Sequence, residues 1–258
     1  MFIHLALMGL VGWLLVAEPL LGRRASLRLG QALDRGEADA RTRFLLAWTW
    51  QGWTLVGVTL AIALGLARWS PAQLGLAWPR VPAGLDGGVL LGMTASMIAG
   101  ALIAAVGLWV AARRRHGTPA ATPAIPAAPA AVLRMLPRTR RERLAFAALA
   151  LTAGIGEEIV WRGFGLAVLR TWLPHAGPLP YVLLLATTFG WAHLYQGRAG
   201  VIVTALVGGV FAALYLASGS LLVPMVLHVL MDLRALLIRL PPDAPHAAAS
   251  GPSTREVS

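Results

Sequence analysis

The chain has 258 residues, of which 57% are hydrophobic and only 13% charged, against roughly 25% charged in a soluble domain; that deficit excludes an ordinary water-soluble globule and makes lipid the main solvent. The net charge of +11 would suit a nucleic-acid binder, but the cations are all Arg and gather between apolar runs, which is the positive-inside pattern instead. No Cys is present, which removes disulfides, thiolate metal ligands and thiol nucleophiles.

A membrane-spanning helix needs about 20 mostly apolar residues. Seven runs fit, near residues 1–21, 44–67, 85–112, 144–169, 179–195, 200–217 and 220–240. The expected fold class is therefore all-α, a polytopic transmembrane helical bundle of about seven helices, or eight if the third or fourth run divides. The first run has no basic start, and Glu18-Pro19 stands where a signal peptide would have small residues, so it reads as an uncleaved span. After it comes an expected loop with Arg23, Arg24, Arg28, Arg35, Arg41 and Arg43. A second basic stretch, Arg113–Arg115 with Arg134, Arg138, Arg140, Arg141 and Arg143, follows the third run. Both should be cytoplasmic, with the N-terminus outside. The Arg113–Arg115 triplet reads as a topology signal before a site for anionic lipid. Trp48, Trp50, Trp53, Trp69 and Trp78 are expected in interfacial belts.

Residues 116–137 are rich in Ala and Pro and read as an extended cytoplasmic linker. They separate an N-terminal set of helices, 1–115, from a C-terminal transmembrane domain, 138–240; a disordered tail, 241–258, follows. Ser218-Gly219-Ser220 reads as a turn rather than a nucleophile, and no H-E-x-x-H zinc motif is present.

The polar residues inside the spans carry the functional signal. Glu157, Glu158, Arg162, His193, His228 and Asp232 all fall in the last four runs. A charge near the centre of a membrane helix costs on the order of 3 kcal/mol, so their concentration calls for a purpose. Glu158 and Arg162 are four apart and can pair on one helix face. Glu157 points about 100° away and has Trp161, not a charge, at its own i+4 position. His228 and Asp232 are again four apart, and His193 ends Phe189-Gly190-Trp191-Ala192-His193. Gly154, Gly156, Gly163 and Gly165 around the Glu pair would let helices approach closely. Carboxylates and imidazoles on three converging helices can activate water and support an oxyanion. Glu157, His193 and His228 could alternatively hold a divalent metal such as zinc.

At these residues the chain resembles a known family. Glu157-Glu158-Ile159-Val160-Trp161-Arg162 looks like its E-E-x-x-x-R motif, Phe189 to His193 like F-x-x-x-H, and His228 to Asp232 like H-x-x-x-N/D. The family is the CAAX proteases and bacteriocin-processing enzymes, typified by the Ras-converting prenyl endopeptidase. The resemblance covers roughly residues 137–240. It implies an intramembrane endopeptidase acting on a membrane-associated protein or peptide, in a bilayer of bacterial inner-membrane type and without nucleic acid. It also implies that Glu157 and His193 activate water, that His228 and Asp232 serve the oxyanion, and that Glu158 and Arg162 shape the cavity. Asp232 departs from the Asn of the prenyl protease, and the expectation is that its carboxylate orients the His228 ring instead. The alternatives are a silent membrane scaffold or self-immunity protein with the same fold, and a proton-relay transporter. The transporter fits less well, because the polar residues occupy one half only.

Overall fold

The computed structural model describes residues 2–80, 130–238 and 240. The expected third span at 85–112, Arg113–Arg115, most of the 116–137 linker and the tail from 241 lie outside these residues. Every described element is helical. Helix α1 runs Phe2–Asp34 and α2 runs Ala40–Leu66. A 3-10 turn, Pro71–Leu74, follows, and the last part of the Ala/Pro-rich stretch forms a short helix, α3, Ala130–Met135. Helix α4 is Arg140–Trp172. Then come α5, Pro178–Ala192, α6, Gly197–Ser218, and α7, Leu222–Leu233.

Among the described residues, four helices are long and apolar enough to cross a bilayer, the third and fourth starting at Arg140 and Leu194. The protein is an integral membrane protein. Helices α5 and α7 are shorter than their apolar runs, with 15 and 12 residues. The 179–195 run is cut where the backbone leaves α-geometry at His193. The 220–240 run starts from a turn at Gly219, whose φ of 65° is left-handed and suits a residue without Cβ. That turn is the one expected at Ser218–Ser220. It is pinned by Ser220 Oγ donating to the Ala77 carbonyl at 2.5 Å and by Leu221 N–H donating to Gly75 at 2.9 Å.

The expected Arg loop after the first span is mostly helix. Arg23, Arg24 and Arg28 lie in α1, and Arg41 and Arg43 in the first turn of α2. The apolar run ends near Leu21, but nothing there stops the helix; a left-handed Gly36 turns the chain only after Asp34. Two of the belt tryptophans also differ from expectation. Trp50 and Trp78 are exposed, at 74% and 82%, whereas Trp69 packs on Phe164 with ring centroids 6.0 Å apart and Trp48 lines an internal cavity.

The Arg-rich end is locked by one carboxylate. Thr139 and Glu142 form a reciprocal cap at the start of α4, each side chain accepting from the other's backbone N–H. Glu142 also accepts from buried Arg41 Nη1 at 2.8 Å, and Arg41 Nε donates to the Arg134 carbonyl at 2.8 Å. Helices α2, α3 and α4 are thus tied at one point. Along their lengths α2 and α7 pack against α4, and α5 against α6. Close approach is bought by glycine: a Cβ on Gly154 would meet the Val229 backbone nitrogen at 2.7 Å, and one on Gly190 the Val201 carbonyl at 2.7 Å. The first contact sets α7 against the Glu157 turn, and the second sets the His193 helix against α6.

Removing Arg41 strands Glu142 in a largely buried setting. Arg41→Met should therefore lower folding stability by about 3 kcal/mol, the usual cost of breaking one side of a buried pair. Thermal unfolding in detergent reads this directly; an unchanged midpoint would show that the cap alone holds the joint.

Candidate active site

Three helices bring the intramembrane polar residues together. Glu157 ends the first α-helical part of α4, and the helix continues as a π-segment over Glu158–Phe164. A π-turn widens the helix by one residue and is frequent at functional positions. Here it carries the whole Glu158–Arg162 stretch, and every residue of it is buried.

The two adjacent glutamates face different surroundings. Glu158 is fully buried, and its Oε1 accepts from Arg162 Nη1 at 3.0 Å and from His228 Nδ1 at 2.7 Å. Arg162 is equally buried and lies flat under Phe189, its guanidinium carbon 3.8 Å from the ring centre. Glu157 points instead into a cavity of about 680 Å³, shared with His193, His228 and Asp232. Its Oε2 is buried, accepts no hydrogen bond, and stands 3.8 Å from His193 Nε2 and 3.9 Å from His228 Nε2.

The histidine tautomers follow from their partners. His193 Nδ1 is 2.9 Å from the Phe189 carbonyl. A carbonyl only accepts, so that nitrogen carries the proton. In the neutral ring Nε2 then presents a lone pair toward Glu157. His228 uses Nδ1–H to bond Glu158, and its Nε2 faces Glu157 and Asp232 Oδ2, the latter at 3.7 Å. This corrects the expectation for Asp232. The hydrogen bond that orients the His228 ring comes from Glu158 on the neighbouring helix, and the i+4 carboxylate remains beyond bonding distance on the other side.

The metal reading of Glu157, His193 and His228 finds no support in the geometry. Among the described residues no three His, Asp or Glu side chains are arranged to hold an ion.

Sequence reasoning missed the opposite wall of the cavity. Glu18 of α1 lines it, with both carboxylate oxygens 3.0 Å from Gln51 Nε2 of α2. The signal was Glu18-Pro19 itself. Proline has no N–H for the Leu15 carbonyl four residues back. Trp191, inside the Phe189–His193 motif, donates Nε1–H to that carbonyl at 2.9 Å. A π-segment, Trp13–Ala17, immediately precedes Glu18. The proline therefore does two jobs: it opens the turn that presents Glu18, and it frees the acceptor that docks α1 on the His193 helix.

Residues 139–234 match a family described as type II CAAX prenyl endopeptidase, Rce1-like. The match begins at the Thr139 cap of α4 and ends just past Asp232, so it contains the whole carboxylate–imidazole cluster. No curated protein and no solved structure matches the chain. The family is one of proteases, and an all-helical fold with helices apolar enough to cross a membrane and a cavity that Glu157, His193, His228 and Asp232 line agrees with it. Over residues 139–234, less than half of its length, the chain is thus similar to the Rce1-like type II CAAX prenyl endopeptidases.

Proposed function

We propose that the protein is a glutamate-dependent intramembrane endopeptidase that cleaves membrane-associated proteins or peptides in the cavity between α1, α2, α4 and α7. The observation that carries this is the unpartnered Glu157 Oε2, buried and 3.8 Å from the His193 Nε2 lone pair. Two acceptors facing each other across that gap are both satisfied by one water placed between them. That water is the nucleophile in this reading. Glu157 takes its proton as the oxygen attacks the scissile carbonyl carbon, with His193 orienting it. His228, surrounded by the carboxylates of Glu157, Glu158 and Asp232, carries protons on both nitrogens and donates from Nε2 to the oxyanion. Collapse of the tetrahedral intermediate breaks the C–N bond, and Glu157 returns its proton to the leaving amine. Glu158 and Arg162 hold His228 in place without touching substrate. Asp232 supports the charge of His228 from the open side of the ring.

The assay is cleavage of a farnesylated peptide ending in a CAAX sequence, in proteoliposomes, with comparative membrane proteomics for natural substrates. Glu157→Gln should lower turnover by about 10² to 10⁴, the usual contribution of a general base. Full activity in that variant would end the assignment.

The same two neighbouring glutamates should separate in stability. Glu158→Gln weakens a buried pair and should cost about 3 kcal/mol, whereas Glu157→Gln removes no hydrogen bond and should cost less than about 1 kcal/mol. Equal thermal shifts in the two variants would contradict the division of labour.

For Asp232, replacement by Asn should retain activity within about tenfold, because an amide can donate to the oxyanion directly. Asp232→Leu should lose both routes and drop activity by about 10² or more. Equal rates for wild type and Asp232→Leu would remove Asp232 from the mechanism.

A further inference from the structure

The Arg-rich end of α1 carries a feature that neither the ion pairs nor the active site uses. Arg24 and Arg28 stand one helical turn apart on α1, and both are exposed. Like charges at that spacing repel, yet neither has an acidic partner among the described residues. Other cations at this end are committed, Arg35 and Arg43 to Glu37 and Arg41 to Glu142, whereas Arg23, outside the groove, is exposed as well. Arg24 and Arg28 border a groove of about 310 Å³ between α1 and α2, whose other wall is mostly apolar, formed by Leu21, Ala25, Ala47 and Trp48, with Gln51 at the side. Leu21 closes the apolar run of α1, so the groove sits where hydrocarbon gives way to headgroups.

We propose that this groove is a binding site for one anionic phospholipid. The headgroup phosphate lies between Arg24 and Arg28, matching planar N–H forks to phosphate oxygens. The glycerol and upper acyl chain run along Leu21, Ala47 and Trp48. Charge complementarity selects an anion, and the apolar wall at the membrane boundary selects a lipid over free phosphate. Trp48 and Gln51 line both this groove and the Glu157 cavity, and Gln51 holds Glu18. The lipid therefore packs on the outer side of a cavity wall and steadies it.

The test is native mass spectrometry of the full chain released from bilayers of phosphatidylcholine and phosphatidylglycerol. Wild type should retain a phosphatidylglycerol molecule, and Arg24→Gln with Arg28→Gln should reduce its occupancy about tenfold or more. Arg23→Gln with Arg140→Gln removes the same charge outside the groove and should leave occupancy unchanged. Ala47→Trp, which fills the groove and keeps both arginines, should lose the lipid as well; it decides the matter if the double Arg variant fails to fold. Equal retention by wild type and the groove variants overturns the proposal. So does equal loss in the control pair, which would mean diffuse attraction, or equal retention of phosphatidylcholine. Displacement of the adduct by millimolar inorganic phosphate would reassign the groove to free phosphate and overturn the lipid as its occupant.

Discussion

Glu158 Oε1 accepts from Arg162 on its own helix and from His228 on another, in a spot with no solvent exposure. Nearly everything else about the site depends on that bridge. A buried carboxylate with only one of these donors would be an uncompensated charge, costing several kcal/mol, so the three residues stand or fall together. The bridge fixes α7 against α4 and fixes which nitrogen of His228 faces the cavity. Phe189 covers the Arg162 guanidinium from α5 and meets the rings of both histidines. The aromatic residue of the second motif thereby links the third motif to the first. None of this needs substrate, so the constellation is built by folding rather than assembled on binding.

Backbone irregularity recurs at the polar positions. Glu18 follows one π-segment and Glu158 opens another. In a membrane every backbone group must find a partner within the protein, and a π-turn leaves some carbonyls poorly served. Both places show how that demand is met. The Leu15 carbonyl, left without an N–H by Pro19, takes the Trp191 indole. Gly165 N–H closes the second segment on the Val160 carbonyl. A third π-segment, Ala61–Leu66, holds no polar side chain and does not line the cavity, so a widened helix is not confined to the polar positions.

Much of this was legible in the sequence. Lipid as solvent follows from the charge deficit, and the three polar motifs follow from the cost of intramembrane charge. Helical spacing alone pairs Glu158 with Arg162 and sends Glu157 elsewhere, and the coordinates agree. Contacts between helices were not legible, because periodicity describes one helix at a time. Asp232 is the plain case: spacing offered it to His228, but Glu158 takes the ring at 2.7 Å. Trp48 is another, since an aromatic near a span end looks interfacial whether it faces lipid or a cavity. Glu18 stands in plain view in the sequence, but its position before Pro19 speaks only to signal cleavage. Its Gln51 partner lies 33 positions away, beyond any local pattern.

The adjacent glutamates show how one residue type acquires two chemistries. Consecutive positions on a helix diverge by about 100°, so one side chain enters the bundle and the other the cavity. The first has one oxygen bridged to Arg162 and His228 and becomes a fixed point that positions its neighbours, although its other oxygen has no donor among the described residues. The second turns its Oε2 toward His193 and His228 across the cavity instead of bonding it into the bundle. A protein that wanted only stability would fill that position with an apolar side chain, and insertion into the membrane would be easier. On the proposed mechanism, that placement is what lets Glu157 act as general base on a water shared with His193.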